Sequence, residues 1–171
     1  MIEIKEATVS LEFEIIKNLA SEILHEVYDP IIPSTHTDIF LQENLSVKAI
    51  TNQTELKNFS YYLLNFHSKT VGFLGLQKLS NKIILNKLYV LASFRGNKIG
   101  KTALEFVTNL ALKNNSTSIE LIVNQKNNHS ISIYKKNGFK IIESLVNSFP
   151  NGYTVEDYKM QKKLHHNQHS S

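Results

Sequence analysis

The spacing of apolar positions changes along the chain, and each change predicts an element. Ile2 and Ile4 alternate with Glu3 and Lys5, a period of two that predicts an opening strand over Met1 to Ala7. Leu11, Phe13, Ile15, Ile16, Leu19, Ile23 and Leu24 then follow helical spacing, which predicts a helix from about Ser10 to Val27. Asp29-Pro30-Ile31-Ile32-Pro33 ends it, because proline cannot continue a helix and disfavours one in the residue before it. Thr35 to Gln53 is mixed and polar, with Ile39, Phe40, Leu41 and Leu45 as apolar points, and accommodates one or two short helices. From Phe59 the residues become aromatic and β-branched. Tyr61 to Phe66 and Thr70 to Leu76, joined by His67-Ser68-Lys69, predict a hairpin. Lys82 to Leu91 is a third such run. A helix follows on Leu104, Val107, Leu110 and Ala111 and stops at Asn114-Asn115-Ser116. Ser118 to Val123 reads as a strand and Asn127 to Asn137 as a short helix, closed by Gly138 in the position of a left-handed cap. Lys140 to Val146 and Val155 to Lys163 are two final strands around Pro150-Asn151-Gly152. Strands and helices in this order predict a mixed α/β (α+β) layer architecture.

Composition adds limits to that picture. With 171 residues, no repeats and no linker-like stretch, the chain is expected to form a single domain over 1–164 with a polar tail over 165–171. It has no cysteine, which excludes disulfides, thiolate nucleophiles and zinc–thiolate sites. The N-terminus lacks an apolar signal core, and no apolar run approaches the roughly 18 residues that span a bilayer. The expectation is a cytoplasmic protein with no membrane partner. The net charge is +4 and the pI about 9.1, which favours an anionic partner and equally serves solubility. The lysines are scattered rather than gathered on one face with aromatics between them, so no nucleic-acid partner is expected.

One segment concentrates chemistry. Leu88-Tyr89-Val90 runs into Arg95-Gly96-Asn97-Lys98-Ile99-Gly100-Lys101, so a strand ends, a turn rich in glycine and basic residues follows, and a helix begins. The first turn of a helix offers unpaired amides and partial positive charge, and glycine lets the backbone approach an anion closely. The turn by itself fits a pyrophosphate cradle and an ordinary strand-to-helix turn equally well. It is neither a P-loop nor a dinucleotide fingerprint.

This stretch resembles the acetyl-CoA motif of the GNAT superfamily of N-acetyltransferases, Gln/Arg-x-x-Gly-x-Gly/Ala. Arg95 and Gly100 match its first and last positions, and Lys98 stands where the middle glycine usually sits. Lys98 keeps the backbone N–H that a phosphate needs, while a glycine-type geometry there is not implied. A second segment, Asn127 through Tyr134 to Gly138-Phe139, resembles the family's Asn-x-x-Ala-x-x-x-Tyr-x-x-x-Gly-Phe, with Ser130 for the alanine. Asn127, Ser130 and Tyr134 are spaced to share a helical face. The resemblance covers roughly Tyr61 to Lys163 and implies a mixed, mostly antiparallel sheet of about six or seven strands flanked by about four helices.

For mechanism, the resemblance implies direct attack of a primary amine on the thioester of acetyl-CoA in a ternary complex, with no covalent enzyme intermediate; no metal is expected. It places the carbonyl against Leu88, Tyr89 and Val90, with the Val90 amide as its donor. It gives the pyrophosphate to the backbone of Arg95, Gly96, Asn97, Lys98, Ile99, Gly100 and Lys101, the pantetheine arm to Asn127, and the role of general acid to Tyr134. Relatives often use a glutamate on the strand before the motif, but Ile83 to Val90 contains no carboxylate. Glu120, Glu156 and Asp157 could serve through water, each reading more simply as a solvated surface group, so no base is assigned. Tyr28, His25, His36 and Asp38 flank the proline-broken loop, where the family shapes its acceptor site, and read more simply as loop surface. His165, His166 and His169 lack the surroundings that orient metal ligands. Gly152 to Met160 resembles the closing strand of polyamine-type acetyltransferases, which points to a small amine acceptor. Acetylation of a protein N-terminus or lysine, and a CoA-binding module without turnover, are the alternatives, and Tyr134 argues against the second. Family members are often dimers, so a homodimer stays open.

Overall fold

A computed structural model of the chain describes residues 1–149 and 152–166. The expected tail therefore lies outside the described residues except for His165 and His166, as do Pro150 and Asn151 of the last turn. The chain divides into two compact units. One comprises Met1–Gln77 with Asn86–Ala103, the other Lys78–Leu85 with the described part of Leu104–Ser171.

The first unit opens with β1 (Ile2–Ala7) and α1 (Ser10–Tyr28). Glu12 starts the helix: its carboxylate accepts the amides of Thr8 and Val9 at 3.1 and 3.3 Å and meets Lys5 at 3.1 Å. The Thr8 amide first, then Lys5, holds that carboxyl below the usual range. Phe13, Ile16, Ala20, Ile23 and Leu24 recur at helical spacing and are buried with Tyr61, Leu63 and Phe73. The polar stretch after the prolines folds as two helices, α2 (Ser34–Asn44) and α3 (Val47–Leu56). They separate at Ser46, whose hydroxyl caps α3 by accepting the Ala49 amide at 3.1 Å. The chain thus carries five α-helices among the described residues, one more than the family pattern implied.

β2 (Phe59–Phe66) pairs antiparallel with β1 and with β3 (Lys69–Lys78). The two turn residues between β2 and β3, His67 and Ser68, have φ of 49° and 65°. That double left-handed turn matches the twist of the strands it joins. β4 (Lys82–Val90) gives its second half to this unit and its first half to the other, and the strand order here is β1-β2-β3-β4.

In the second unit the order is β4-β5-β7-β6. β5 (Ser118–Asn124) pairs in parallel with β4 over Lys82–Ile84, whereas β5 with β7 (Thr154–Lys163) and β7 with β6 (Lys140–Ser148) are antiparallel. The seven strands therefore make a mixed α/β architecture, as the order of elements predicts, and mostly antiparallel, as the family resemblance implies. α4 (Ile99–Lys113) begins in the first unit and continues in the second, where Leu104, Val107 and Ala111 are buried. α5 (Asn128–Lys136) ends at Gly138, whose φ of 93° is the predicted left-handed cap. Among the described residues no helix is long and apolar enough to cross a membrane.

Candidate active site

β4 reaches its end under a tight constraint. A Cβ at Gly72 of β3 would lie 2.3 Å from the carbonyl oxygen of Tyr89, so only glycine allows the two backbones this close. The Leu91 amide donates to Val71 O at 2.8 Å and so points toward β3. Alternate residues of a strand face opposite edges, so the N–H and C=O of Val90 point to the other edge. The Val90 carbonyl there accepts the Nε–H of Arg95 at 3.2 Å.

A single 3₁₀ turn, Ala92–Phe94, leads to Arg95. Gly96 and Lys98 then take left-handed conformations, φ 88° and 61°. Lys98 thus holds the geometry that glycine would supply, a conformation that costs a side-chain-bearing residue roughly 1 kcal/mol. The first i→i−4 bond of α4 runs from the Thr102 amide to Lys98 O at 3.0 Å, so Ile99, Gly100 and Lys101 carry the first-turn amides. A Cβ built on Gly96 or Gly100 meets nothing within 4 Å. Amides, helix dipole and the exposed Lys98 and Lys101 form an anion-accepting turn. Asn97 braces it through its side-chain amide on Phe94 O at 2.9 Å.

The Arg95 side chain points elsewhere. Its two terminal nitrogens donate to both oxygens of Glu26 on α1, at 2.9 and 2.7 Å. The Tyr28 and Tyr89 hydroxyls lie 3.0 Å apart. His25 bridges the proline-broken loop: Nδ1 sits 2.9 Å from Asp29 and Nε2 2.8 Å from Asp38. The Asp29 hydrogen bond, then Asp38, pushes this imidazole above its ordinary value. His25 and Tyr28 thus lie on α1 and His36 and Asp38 on α2 rather than in a loop; His36 is buried, while Asp38 stays exposed as the sequence favours and bonds His25 there.

Lys87 of β4 is only 4% exposed. Its amine donates to the side-chain oxygen of Asn86 and lies over the rings of Phe59 and Tyr61, at 5.6 and 5.7 Å from their centroids. Burial pulls its ammonium down to about 7. The Tyr61 hydroxyl in turn donates to Gln53, and burial pushes that phenol up.

In the second unit, Asn127 caps α5: its side-chain oxygen accepts the Ser130 amide at 3.3 Å, which leaves its NH₂ as the donor group. Tyr134 is buried on α5, its ring 5.8 Å from that of Phe139. Of the three carboxylates weighed as bases, Glu156 is exposed. Glu120 is buried and paired with Lys82 at 3.2 Å. Asp157 is buried, accepts Asn147 Nδ2 at 2.6 Å, and has its carboxyl pushed up by burial. Two of the three are thus not the solvated surface groups that the sequence favours. Among the described residues no group of three or more His, Asp or Glu side chains could hold a metal, and His166 bonds Ser116 O at 2.7 Å.

The acetyltransferase (GNAT) family model matches residues 22–139. The chain belongs to this family. It is 26% identical over 144 residues to a spermidine N(1)-acetyltransferase of Thermoplasma acidophilum, covering 82% of this chain and 89% of that protein. Its fold matches the PaiA N-acetyltransferase of Thermoplasma acidophilum, solved with coenzyme A, at a TM-score of 0.78 and 25% identity over 96% of this chain and 99% of that one. A GNAT acetyltransferase of Staphylococcus aureus Mu50 shares the fold at a TM-score of 0.73 and 23% identity, covering 96% and 100% of the two chains.

This acetyltransferase gathers Leu88, Tyr89, Val90 and Arg95 to Lys101 on one continuous strand, turn and helix start in the first unit, while Asn127 and Tyr134 belong to the second. Sequence reasoning missed Lys87 and Glu26. Lys87 had one signal, a charge in a run where Ile83, Leu85 and Tyr89 mark the same inward face. Glu26 had none, because nothing local identifies a partner 69 residues away.

Proposed function

We propose that this enzyme transfers the acetyl group of acetyl-CoA to a primary amine of a small molecule of polyamine type. The observation that carries the donor half is the turn after β4, where left-handed Gly96 and Lys98 lead into the first amides of α4. The similarity to a spermidine acetyltransferase supports the acceptor class. In this reading the pyrophosphate rests on the backbone of Arg95 to Lys101, and the Asn127 side-chain amide donates to the pantetheine arm. The free amine attacks the thioester carbon, forming the C–N bond, and the Val90 amide stabilises the oxyanion. Collapse breaks the C–S bond. The leaving thiolate takes the Tyr134 hydroxyl proton, the proton shed by the nitrogen passes to solvent, and solvent returns one to the Tyr134 phenolate. Such a chain works in the cytoplasm, where acetyl-CoA and polyamines meet.

The test is a panel of amines with acetyl-CoA, read as free thiol released. Spermidine or spermine should give kcat/KM at least roughly tenfold above lysine-containing and free N-terminal peptides, a gap of about 1.4 kcal/mol in transition-state binding. Preference for the peptides would make the enzyme a protein acetyltransferase. No thiol release with any amine of the panel would remove the proposed activity.

A further inference from the structure

We infer that Arg95 is a positioning residue: through Glu26 it ties the last turns of α1 to the Val90 carbonyl, and so fixes the peptide edge on which the acyl carbonyl is held. This rests on the proposed role of the Val90 amide. Three observations carry it. Three of the guanidinium's five N–H donors are used inside the chain, two on Glu26 at 2.9 and 2.7 Å and one on Val90 O at 3.2 Å. The forked, two-point geometry sets an orientation as well as a contact. The Val90 amide and carbonyl face the same edge, while Leu91 is fixed on the other edge by Val71. A side chain gripping the carbonyl, in the peptide whose Leu91 amide Val71 holds, therefore anchors the strand end from which the Val90 amide projects.

The pair is not explained as a stability device. Arg95 and Glu26 are 30% and 45% exposed, so solvent screens the charge attraction and the forked geometry, more than the charge, sets what the pair contributes. Its placement explains it better. Glu26 lies in the last turn of α1, just before Tyr28 and Asp29, and Arg95 opens the turn proposed for the pyrophosphate. A shift of α1 is thereby transmitted to the strand end that carries the Val90 amide.

The test compares Arg95→Gln, Glu26→Gln and the double variant, with Arg95→Lys keeping the charge while losing the fork. CoA affinity is read by calorimetry, turnover with the best amine, and the carbonyl stretch of bound ¹³C-acetyl-CoA without amine. Each single variant should lose about tenfold or more in kcat with CoA affinity changed by less than about threefold, and the double should be no worse than either single. The bound carbonyl stretch should move back toward its value in water. Glu26→Gln alters an exposed helical position, so it reads the pair even where an Arg95 variant folds poorly. A tenfold loss of CoA affinity in Arg95→Gln alone would make the guanidinium a phosphate ligand and overturn the inference. Full kcat in Glu26→Gln would overturn it as well. A wild-type chain that neither binds CoA nor releases thiol would instead remove the proposed activity, and this role with it.

Discussion

Replacing Lys87 by Met should stabilise the protein, and the gain should depend on pH. The amine is 4% exposed and lies over two aromatic faces. Gly75 makes the room, since a Cβ there would meet the Tyr61 ring at 3.0 Å and Lys87 Cβ at 3.5 Å. Burial lowers the ammonium from 10.5 to about 7. At 1.36 kcal/mol for each tenfold change in proton affinity, that is a penalty of about 5 kcal/mol when the charge must be kept. The ring faces return roughly 1 kcal/mol at these distances, leaving about 3–4 kcal/mol. Above pH 10.5 both states are neutral and the penalty vanishes. Between pH 7 and 10.5 the unfolded chain binds the extra proton, so stability rises with pH. Below pH 7 the folded chain holds the buried charge at full cost. Methionine keeps the unbranched stem and removes the charge. Urea unfolding at pH 6 should therefore place Lys87→Met about 3–4 kcal/mol above wild type, shrinking to less than about 1 kcal/mol near pH 10. Other titrating groups cancel in the difference. A gap that stays constant from pH 6 to pH 10 would refute the reasoning.

Lys98→Gly should raise stability by about 0.5–1 kcal/mol by relieving the left-handed backbone, and Lys98→Val should lower it by about 1–2 kcal/mol; a less stable glycine variant in thermal denaturation contradicts this. Gly72→Ala should cost about 1–3 kcal/mol and reduce turnover, because its methyl displaces the Tyr89 carbonyl and the strand end that carries Val90. The raised His25 contributes stability in full below roughly pH 6.5 and loses it as pH rises through its folded value. His25→Gln should therefore lower the melting temperature at pH 6 and leave it unchanged at pH 9. Tyr134→Phe should reduce kcat by at least roughly tenfold with CoA affinity and melting temperature preserved, and full activity would assign the proton to another donor.

The fold was legible wherever local rules decide it. The α1 stripe, the His67-Ser68 hairpin and the Gly138 cap follow from spacing and turn chemistry alone. The donor turn was legible as a motif, but the left-handed Lys98 was not, because its neighbours impose a conformation that lysine does not choose. Glu120 and Asp157 were misread as surface groups. Glu120 pairs with Lys82, 38 residues away, and Asp157 with Asn147 on the adjacent strand, partners that the pattern of their own strands does not reveal. The Arg95 side chain was hidden for the same reason: a guanidinium beside a glycine turn reads as an anion ligand until its partner on α1 is seen.

The Tyr28–Tyr89 hydroxyl pair also makes the protein its own optical reporter. The chain has seven tyrosines and no tryptophan, so its emission is not masked by indole. Tyr89 directly precedes the peptide proposed to hold the acyl carbonyl, and its hydroxyl is 3.0 Å from that of Tyr28. A phenol's emission responds to what its hydroxyl touches and to charge nearby. Cosubstrate and acceptor can therefore be followed in solution by ultraviolet fluorescence of the unlabelled chain, with Tyr89→Phe as the blank that isolates the signal.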